Sequence, residues 1–277
     1  MTFENILVGI ADDDASITAL HGAAVLAQSL GAKLHLVHAA EGDAQEAAEP
    51  SVVRARISEA LKGTHFDGAQ ASAALVTTKG HATEVMLAEA KRIFADLLVV
   101  GPHRKHRFDF GGTAKGLMKE NHLATLIQIG PPREHGTILV PVDLTPGSKE
   151  TVRVAHGLAS AMKARLILLH CYEGPAFAYD SSLGDSFASS NYVIEGDRKA
   201  EEAVFEAFVK EFNWGMVEFE SVFVEDDPAR HVIDVQNTVD LIVVGRHGSR
   251  GVFGSLGSLS SQLHKKIDSP LLIVPHE

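Results

Sequence analysis

The sequence is poor in cysteine, in basic residues and in long apolar segments. Cys171 is its single cysteine, which excludes a framework of internal disulfide bonds. Lysine and arginine total 25 against 36 aspartates and glutamates, and the net charge of -11 argues against a binder of duplex nucleic acid. No apolar run approaches the roughly 20 residues that a bilayer span requires. We therefore expect neither nucleic-acid nor membrane partners.

The N-terminal segment also lacks the features of a secretory signal. It reads MTFENILVGIADDD, with acidic residues where a signal peptide would be cationic, so we expect a cytoplasmic protein. The 277 residues are 45% hydrophobic and 22% charged, which is typical of a globular chain long enough for two domains with sizeable cores.

The chain contains an internal repeat. Residues 5–8 (NILV) correspond to residues 137–140 (TILV), an offset of 132. Residues 95–101 (ADLLVVG) correspond to residues 239–245 (VDLIVVG), an offset of 144. The second copy therefore carries about a dozen extra residues, which we place in the serine-rich segment 175–191 and interpret as a loop.

Each copy alternates buried strand-like runs with helical patterns. Glycine and proline at residues 130–132 mark a linker, so we divide the chain into domains 1–132 and 133–277. In the second copy the apolar runs predict strands at 138–142, 166–171, 217–224, 241–244 and 271–274. The helical patterns lie at 151–162 and 197–210, after Pro228, and from Ser258. This predicts an α/β fold with two tandem, doubly wound, parallel five-stranded sheets, whose ligand crevices lie at the carboxyl ends of the strands.

A glycine-rich loop separates the last two predicted strands. Glycines recur every three residues or so, and a helix is predicted directly after them; they are Gly245, Gly248, Gly251, Gly254 and Gly257. Glycine lets backbone N–H groups approach an anion closely, and the Ser258 hydroxyl and the helix N-terminus add donors. The loop therefore predicts an anion site that needs no basic side chain.

With these motifs, each copy resembles a domain of the universal stress protein family, and the whole chain resembles its tandem form. The resemblance covers residues 4–130 and 136–275. The family pattern for nucleotide binders is glycine, two residues, glycine, nine residues, then glycine and serine or threonine. Here Gly245 and Gly248 are followed by eight residues and Gly257-Ser258. The resemblance implies an adenine nucleotide alpha hydrolase-like fold in both domains, related by a pseudo-twofold axis through pairing of their last strands, with a homodimer as a further possibility.

The resemblance also implies a bound adenine nucleotide, ATP or AMP, in the second domain, with accompanying Mg²⁺ left open. Adenine and ribose would contact the loop after the first strand, at Pro141, Val142 and Asp143. Cys171 would border the base. Ribose and phosphates would lie against the glycine loop and the following helix, at Val244, Gly245, Arg246, Gly248, Ser249, Gly257, Ser258 and Leu259. We expect no catalytic residue and no metal ligand in the protein.

The first copy departs from this pattern. Arg104 replaces the second glycine of the loop, and Ala11 stands opposite Asp143, so the carboxylate is lost unless Asp12 shifts to supply it. A bulky side chain thus occupies a place where close backbone approach is needed, and we interpret domain 1–132 as degenerate. The basic loop 104–107 is able to attract an anion, although solvated surface charges are the favoured interpretation.

Three function classes stay open at this point. The favoured one is a stress-response or signalling protein that binds ATP or AMP without turnover as its main role. A slow ATPase, or a related nucleotidyl transferase or ATP pyrophosphatase, is the second, although no Ser-Gly-Gly-x-Asp-Ser or His-x-Gly-His motif is present. The third is a binder of another anionic or lipid-like ligand, with residues 175–191 as a lid lined by Phe177, Tyr179, Phe187 and Tyr192, although a mobile surface loop is the favoured interpretation of this segment.

Other polar residues are weaker candidates for metal binding or catalysis. His103 and His106 have a spacing seen in metal sites, but no carboxylate or cysteine cluster accompanies them. His38 and His170 occupy equivalent strand ends, where a histidine bonded to backbone is favoured over a catalytic one. Cys171 lacks an activating partner, and the acidic run 225–227 is better explained by the dipole of the following helix than by magnesium.

Overall fold

The computed structural model describes residues 3–40, 50–102, 111–120, 123–130, 136–174, 187–246 and 258–275. Within these ranges strands alternate with helices in both copies, as the hydrophobic patterns predict. The boundary at residue 132 lies outside the described residues, and so do the basic loop 104–107 and most of the glycine loop.

The N-terminal half places short apolar strands between amphipathic helices. Its strands are β1 (Asn5–Gly9), β2 (Lys33–Ala40), β3 (Val76–Lys79), β4 (Leu97–Val100) and β5 (Ala124–Ile127). Its helices are α1 (Asp14–Leu30), α2 (Pro50–Ala60), α3 (Gly68–Ala73), α4 (Ala82–Ile93) and α5 (Gly111–Glu120). Asp13 caps α1 by accepting from the Ser16 N–H, and Gly31 ends that helix in the left-handed conformation.

The C-terminal half repeats the arrangement. Its strands are β6 (Thr137–Pro141), β7 (Arg165–Tyr172), β8 (Phe219–Glu225), β9 (Leu241–Gly245) and β10 (Leu271–Val274). Its helices are α6 (Pro146–Met162), α7 (Phe187–Lys210), α8 (Pro228–Val235) and α9 (Ser258–Lys266), with a short 3₁₀ helix at Gln236–Thr238. Pro228 opens α8, as predicted.

The strands of the described ranges form a single sheet in the order β3-β2-β1-β4-β5-β10-β9-β6-β7-β8. All neighbours within each half are parallel, which confirms the predicted α/β class. The halves meet where β5 and β10 pair antiparallel, with Leu126 opposite Leu272. Antiparallel pairing of two equivalent last strands is what a pseudo-twofold axis produces, so the structure joins the two predicted sheets into one.

Both faces of this sheet are covered. Strands β4, β5 and β10 are buried along their whole length, which explains why their sequences are apolar apart from Thr125 of β5. On one face α1 and α6 pack against each other across the junction of the two halves. The hydrophobic core on that face accordingly runs through both domains, from Leu20 and Val99 to Val243 and Leu272.

The predicted start of helix α7 is wrong. It was expected to begin at residue 197, after a loop covering 175–191, but it begins at Phe187. Serine and asparagine are only a few tenths of a kcal/mol poorer than good helix formers, and extending a nucleated helix is cheap. Phe187 and Tyr192 thus belong to a helix, whereas Phe177 and Tyr179 lie outside the described residues.

None of the described helices combines the length and the apolar character that a bilayer-spanning segment requires.

Candidate functional site

The strand order of the C-terminal half reverses between β6 and β9. The chain leaves β6 toward β7 on one side, whereas β9 and β10 lie on the other. Ligands of open α/β sheets bind outside the carboxyl ends of the strands at such a point, because the two flanking loops diverge and leave a crevice. Asp143 follows β6 here, and Arg246 follows β9, so the fold places both predicted segments at this edge.

Asp143 organises the loop that joins β6 to α6. Its Oδ1 accepts hydrogen bonds from the Thr145 hydroxyl at 2.6 Å, the Thr145 N–H at 3.2 Å and the Ser148 hydroxyl at 2.6 Å. The Ser148 Oγ also accepts from the Asp143 N–H at 3.2 Å. Leu144, between them, has a φ of 60°, a left-handed conformation that is uncommon for a leucine. The loop is therefore held in one shape, with the Asp143 side chain exposed at the crevice.

The residue before Asp143 is fixed to the neighbouring strand β7. The Val142 N–H donates to the Leu169 carbonyl at 2.9 Å, and the Val142 carbonyl lies 2.8 Å from His170 Nδ1. His38 makes the equivalent contact with the Ile10 carbonyl, also at 2.8 Å. Both histidines are thus bonded to backbone, as predicted.

Cys171 lies beside this loop and is 9% exposed. Burial, with a smaller contribution from the nearby carboxylates of Asp226, Asp227 and Glu173, which repel a thiolate, raises the pKa of its thiol to about 12. An ordinary pocket-lining role fits this residue, because a thiol with that pKa is not a nucleophile near neutral pH.

We predict that Cys171 is inert toward iodoacetamide. At about pH 8 a pKa near 12 leaves roughly one thiol in ten thousand ionised, so alkylation of the folded protein should be more than about 100-fold slower than that of a free cysteine. Mass spectrometry of timed samples measures the rate, and urea-unfolded protein is the control. Labelling of the folded protein at the rate of the unfolded chain would contradict the buried, repelled thiol.

The end of β9 is firmly anchored. Val244 is buried, Gly245 is half-buried, and the Arg246 N–H donates to the Val274 carbonyl of β10 at 2.8 Å. The Ser260 hydroxyl of α9 donates to the Arg246 carbonyl at 3.3 Å. The Arg246 side chain is 6% exposed, and its burial lowers the pKa of the guanidinium.

The phosphate part of the predicted site is described only in part. Gly248, Ser249 and Gly257 lie outside the described residues. Ser258 is the first residue of α9, as predicted, and Leu259 is half-buried in its first turn. The structure thus brings Pro141, Val142 and Asp143 to the same sheet edge as Val244, Gly245 and Arg246, and it adds the start of α9.

The acidic run at 225–227 is engaged within the protein. Asp227 caps α8 by accepting from the Arg230 N–H at 2.7 Å. Asp226 accepts from Arg230 Nε at 2.8 Å and lies 3.2 Å from His231 Nδ1, and these contacts lower the pKa of its carboxyl. The favoured interpretation, in which the run complements the helix, agrees with these contacts.

The equivalent edge of the N-terminal half forms a cleft of about 290 Å³. Ala11, Asp12 and Ala39 are among the residues that line it. The Asp12 carboxylate is paired with Arg56 at 2.9 Å, whereas that of Asp143 accepts from the Thr145 and Ser148 hydroxyls. The Ser16 hydroxyl, which corresponds to that of Ser148, bonds to the backbone of Ala11 instead.

Three residues that support the C-terminal site were not predicted from the sequence. They are Thr145 and Ser148, which hold Asp143, and Glu201 of α7, which contacts His170. The correspondence of Ser148 with Ser16 in the repeat was an available signal. Glu201 gave none, because 31 residues separate it from His170 and only the packing of α7 joins them.

Comparison with known proteins gives consistent matches. The model of the universal stress protein family matches residues 2–127 and again residues 134–275. Universal stress protein Sll1388 of Synechocystis sp. is 27% identical over 155 residues, covering 51% of this chain and 99% of its own. Two solved structures match the whole fold. A universal stress protein of Pseudomonas aeruginosa UCBPP-PA14 has 16% identity and a TM-score of 0.72, covering 98% of this chain and 93% of its own. One of Archaeoglobus fulgidus DSM 4304 has 12% identity and a TM-score of 0.64, covering 100% of both chains.

Proposed function

This chain belongs to the universal stress protein family as a fused pair of its domains, and we propose that the C-terminal domain binds an adenine nucleotide, ATP or AMP. The nucleotide would control a stress-response or signalling role rather than be turned over. The observation that carries the proposal is the Asp143 loop, which Thr145 and Ser148 hold in shape at the point where the strand order reverses.

The base and ribose side of the proposal rests on Asp143 and its neighbours. An exposed carboxylate at a strand end accepts hydrogen bonds from an adenine amino group or from ribose hydroxyls. The loop needs no rearrangement to present it, because Oδ1 already accepts from Thr145 and Ser148. Such preorganisation lowers the entropic cost of binding. The buried Val142 and Cys171 beside it offer an apolar border to a planar ring.

The phosphate side rests on the segment between β9 and α9. Residues 247–257 carry the glycines, and α9 begins at Ser258, directly after them. The N-terminus of a helix binds phosphate through backbone N–H groups and a favourable dipole. Helix-end donors contribute about 0.3 to 1 kcal/mol each when exposed, so micromolar affinity, near -8 kcal/mol, also requires the contacts to base and ribose.

The N-terminal domain is proposed to be a degenerate partner that binds no nucleotide. It retains a cleft, but Ala11 offers no carboxylate and Asp12 is paired with Arg56. Arg104 also interrupts its glycine pattern. We therefore expect one nucleotide per chain.

The proposal predicts a selective effect of Asp143→Ala. The variant should bind ATP and AMP roughly 10- to 100-fold more weakly, because it loses the acceptor and frees Thr145 and Ser148. Binding of inorganic phosphate should change little. Asp143→Asn is the matched control, since its amide oxygen still accepts from both hydroxyls, and it should lose less. Isothermal titration calorimetry measures all three ligands, and an equal loss for phosphate would remove the base-recognition role.

A direct test of the function comes first. Freshly purified protein is denatured, any released small molecule is identified by mass spectrometry, and stripped protein is titrated with ATP, AMP and GTP. One adenine nucleotide per chain is expected. Two per chain would contradict the degenerate N-terminal domain, and saturable binding of none of the three would overturn the proposal.

A further inference from the structure

The cleft of the N-terminal half has no role in the proposed function, although it has room for a ligand. Its volume of about 290 Å³ is well above the roughly 150 Å³ of an apolar protein cavity that binds benzene. It lies at the carboxyl ends of β1, β2 and β4, where the strand order of this half reverses. Ligands of open α/β sheets bind at such a point. The cleft therefore has the size and the position of a site for a molecule of one or two rings.

The walls of this cleft are largely apolar. They include Ile10 after β1, Val37 and Ala39 of β2, Met86 of α4 and Val100 of β4. Four of these side chains are buried members of the hydrophobic cores on the two faces of the sheet, and Ala39 packs against one of those cores. Packing beneath the cleft thus fixes its walls, so a ligand would meet a preformed surface.

The internal repeat shows how the cleft differs from its counterpart. At an offset of 132, Ala11 corresponds to Asp143, and Ala39 and Ala40 correspond to Cys171 and Tyr172. All three alanines line the cleft. Loss of the carboxylate alone would remove a partner for adenine or ribose. The two further alanines replace larger side chains, so this end of β2 carries less bulk than the equivalent end of β7.

Three polar side chains at the cleft are engaged within the protein. The Ser16 hydroxyl donates to the Ala11 carbonyl at 2.8 Å, and the Asp13 carboxylate accepts from the Ser16 N–H at 2.7 Å. The Asp12 carboxylate is paired with Arg56. These groups are satisfied without a ligand, and an anionic ligand would have to approach the two carboxylates. The cleft therefore favours an uncharged molecule.

We propose that the N-terminal cleft binds an uncharged aromatic molecule of one or two rings, held by apolar contacts. Water leaves both the ring and the wall when such a ligand binds, which is favourable. The Met86 sulfur is positioned to contribute, because it lies only 2.7 Å from the place of a Cβ on Gly9, the last residue of β1. Sulfur makes favourable contacts with aromatic rings. Nucleotide binding in the second domain is not required, and the two domains would hold different ligands.

The first measurement is a titration of the full-length protein with indole, followed by NMR of ¹³C-labelled methionine methyl groups. Met86 lines the cleft, whereas Met162 lines a pocket of only about 50 Å³ between the halves and Met216 is fully exposed. The Met86 resonance, assigned with Met86→Leu, should shift saturably with a dissociation constant on the order of 1 mM. Met162 and Met216 should not shift. A Met86 resonance that stays unchanged up to the solubility limit of indole would overturn the proposal.

The second measurement repeats the titration with the cleft partly filled. Ala39→Leu adds three carbons to the wall and should weaken indole binding by at least about tenfold. Ala73→Leu is the matched control, because it makes the same change at an exposed position of α3 and should bind as wild type does. Ala11→Leu is a second filling variant. Ala11 is exposed and its contacts with Ser16 use only backbone atoms, so the fold should tolerate the change. Wild-type affinity in both filling variants would place the ring outside the cleft.

Two further titrations test the charge of the ligand and its separation from the nucleotide. Indole-3-acetate should bind several-fold more weakly than indole, because its carboxylate approaches Asp12 and Asp13. Equal or tighter binding of indole-3-acetate would contradict a site for uncharged ligands. Saturating ATP should leave the Met86 titration unchanged, and competition between ATP and indole would contradict two separate sites. If ATP binds nowhere, the proposed nucleotide function fails, whereas the indole titration still decides the role of the N-terminal cleft.

Discussion

Gly248→Arg should lower the affinity for ATP by at least about 100-fold while leaving the fold intact. The substitution copies into the second domain the residue that the first domain carries at Arg104. A phosphate held by backbone N–H groups must approach within about 3 Å of them, and a side chain at this position stands in its path. The added charge attracts anions, so a loss of affinity would identify steric access as the dominant effect.

The measurement is calorimetric titration of stripped protein, with circular dichroism to establish that the variant is folded. Arg104→Gly is the matched control. It changes the equivalent position of the other copy and should leave one nucleotide bound per chain, because Ala11 still lacks the carboxylate of Asp143. Undiminished affinity in Gly248→Arg would show that the phosphates do not bind at this loop.

Gly101→Ala should destabilise the protein by about 3 kcal/mol. A Cβ at Gly101 would lie 2.5 Å from both the carbonyl carbon and the oxygen of Ala15, and 2.9 Å from the Ser16 nitrogen. These are backbone atoms at the start of α1, so the contact is relieved only by moving that helix or the end of β4. Since α1 also packs on α6, the strain reaches the junction of the two halves.

Thermal unfolding followed by calorimetry tests this expectation. A loss of that size lowers the Tm of a chain of this length by roughly 10 °C. Gly112→Ala is the control, because nothing lies within 4 Å of a Cβ placed there and Gly112 is in the first turn of α5. It should be neutral or slightly stabilising. Equal Tm values for the two variants would mean that β4 and α1 are not packed as closely as the structure has them.

The repeat and the apolar runs made most of the fold predictable. Residues 241–244 and 271–274 are strands in the structure with nearly the predicted bounds, since an uninterrupted apolar run of that length suits a strand buried on both faces. The start of α7 was not predictable in this way. Its first residues, FASSN, have no strong preference for helix or loop. They are helical because the helix that follows extends into them.

The residues of the candidate site likewise fall into those that local sequence signals predict and those that only the packing reveals. Asp143 and the glycines were predicted as site residues because strand ends and turn residues are local signals. Ser148, whose hydroxyl donates to Asp143, is also close in sequence, five residues further along the chain. The shape of the loop between them, however, includes the left-handed conformation of Leu144, which the sequence does not indicate. The contact of Glu201 with His170 depends on which side chains meet across the sheet, and the spacing of residues does not encode that.

By itself, then, the sequence determined the duplication, the α/β class, the family and the loops at which a ligand is expected, because hydrophobic period and glycine placement act over a few residues. The tertiary structure decided that β5 and β10 fuse the two sheets into one, that Asp12 turns to Arg56, and that His170 rather than His38 faces a carboxylate. Each of these depends on groups that are distant in the chain. Their energies are set by distance and burial, which exist only once the chain has folded.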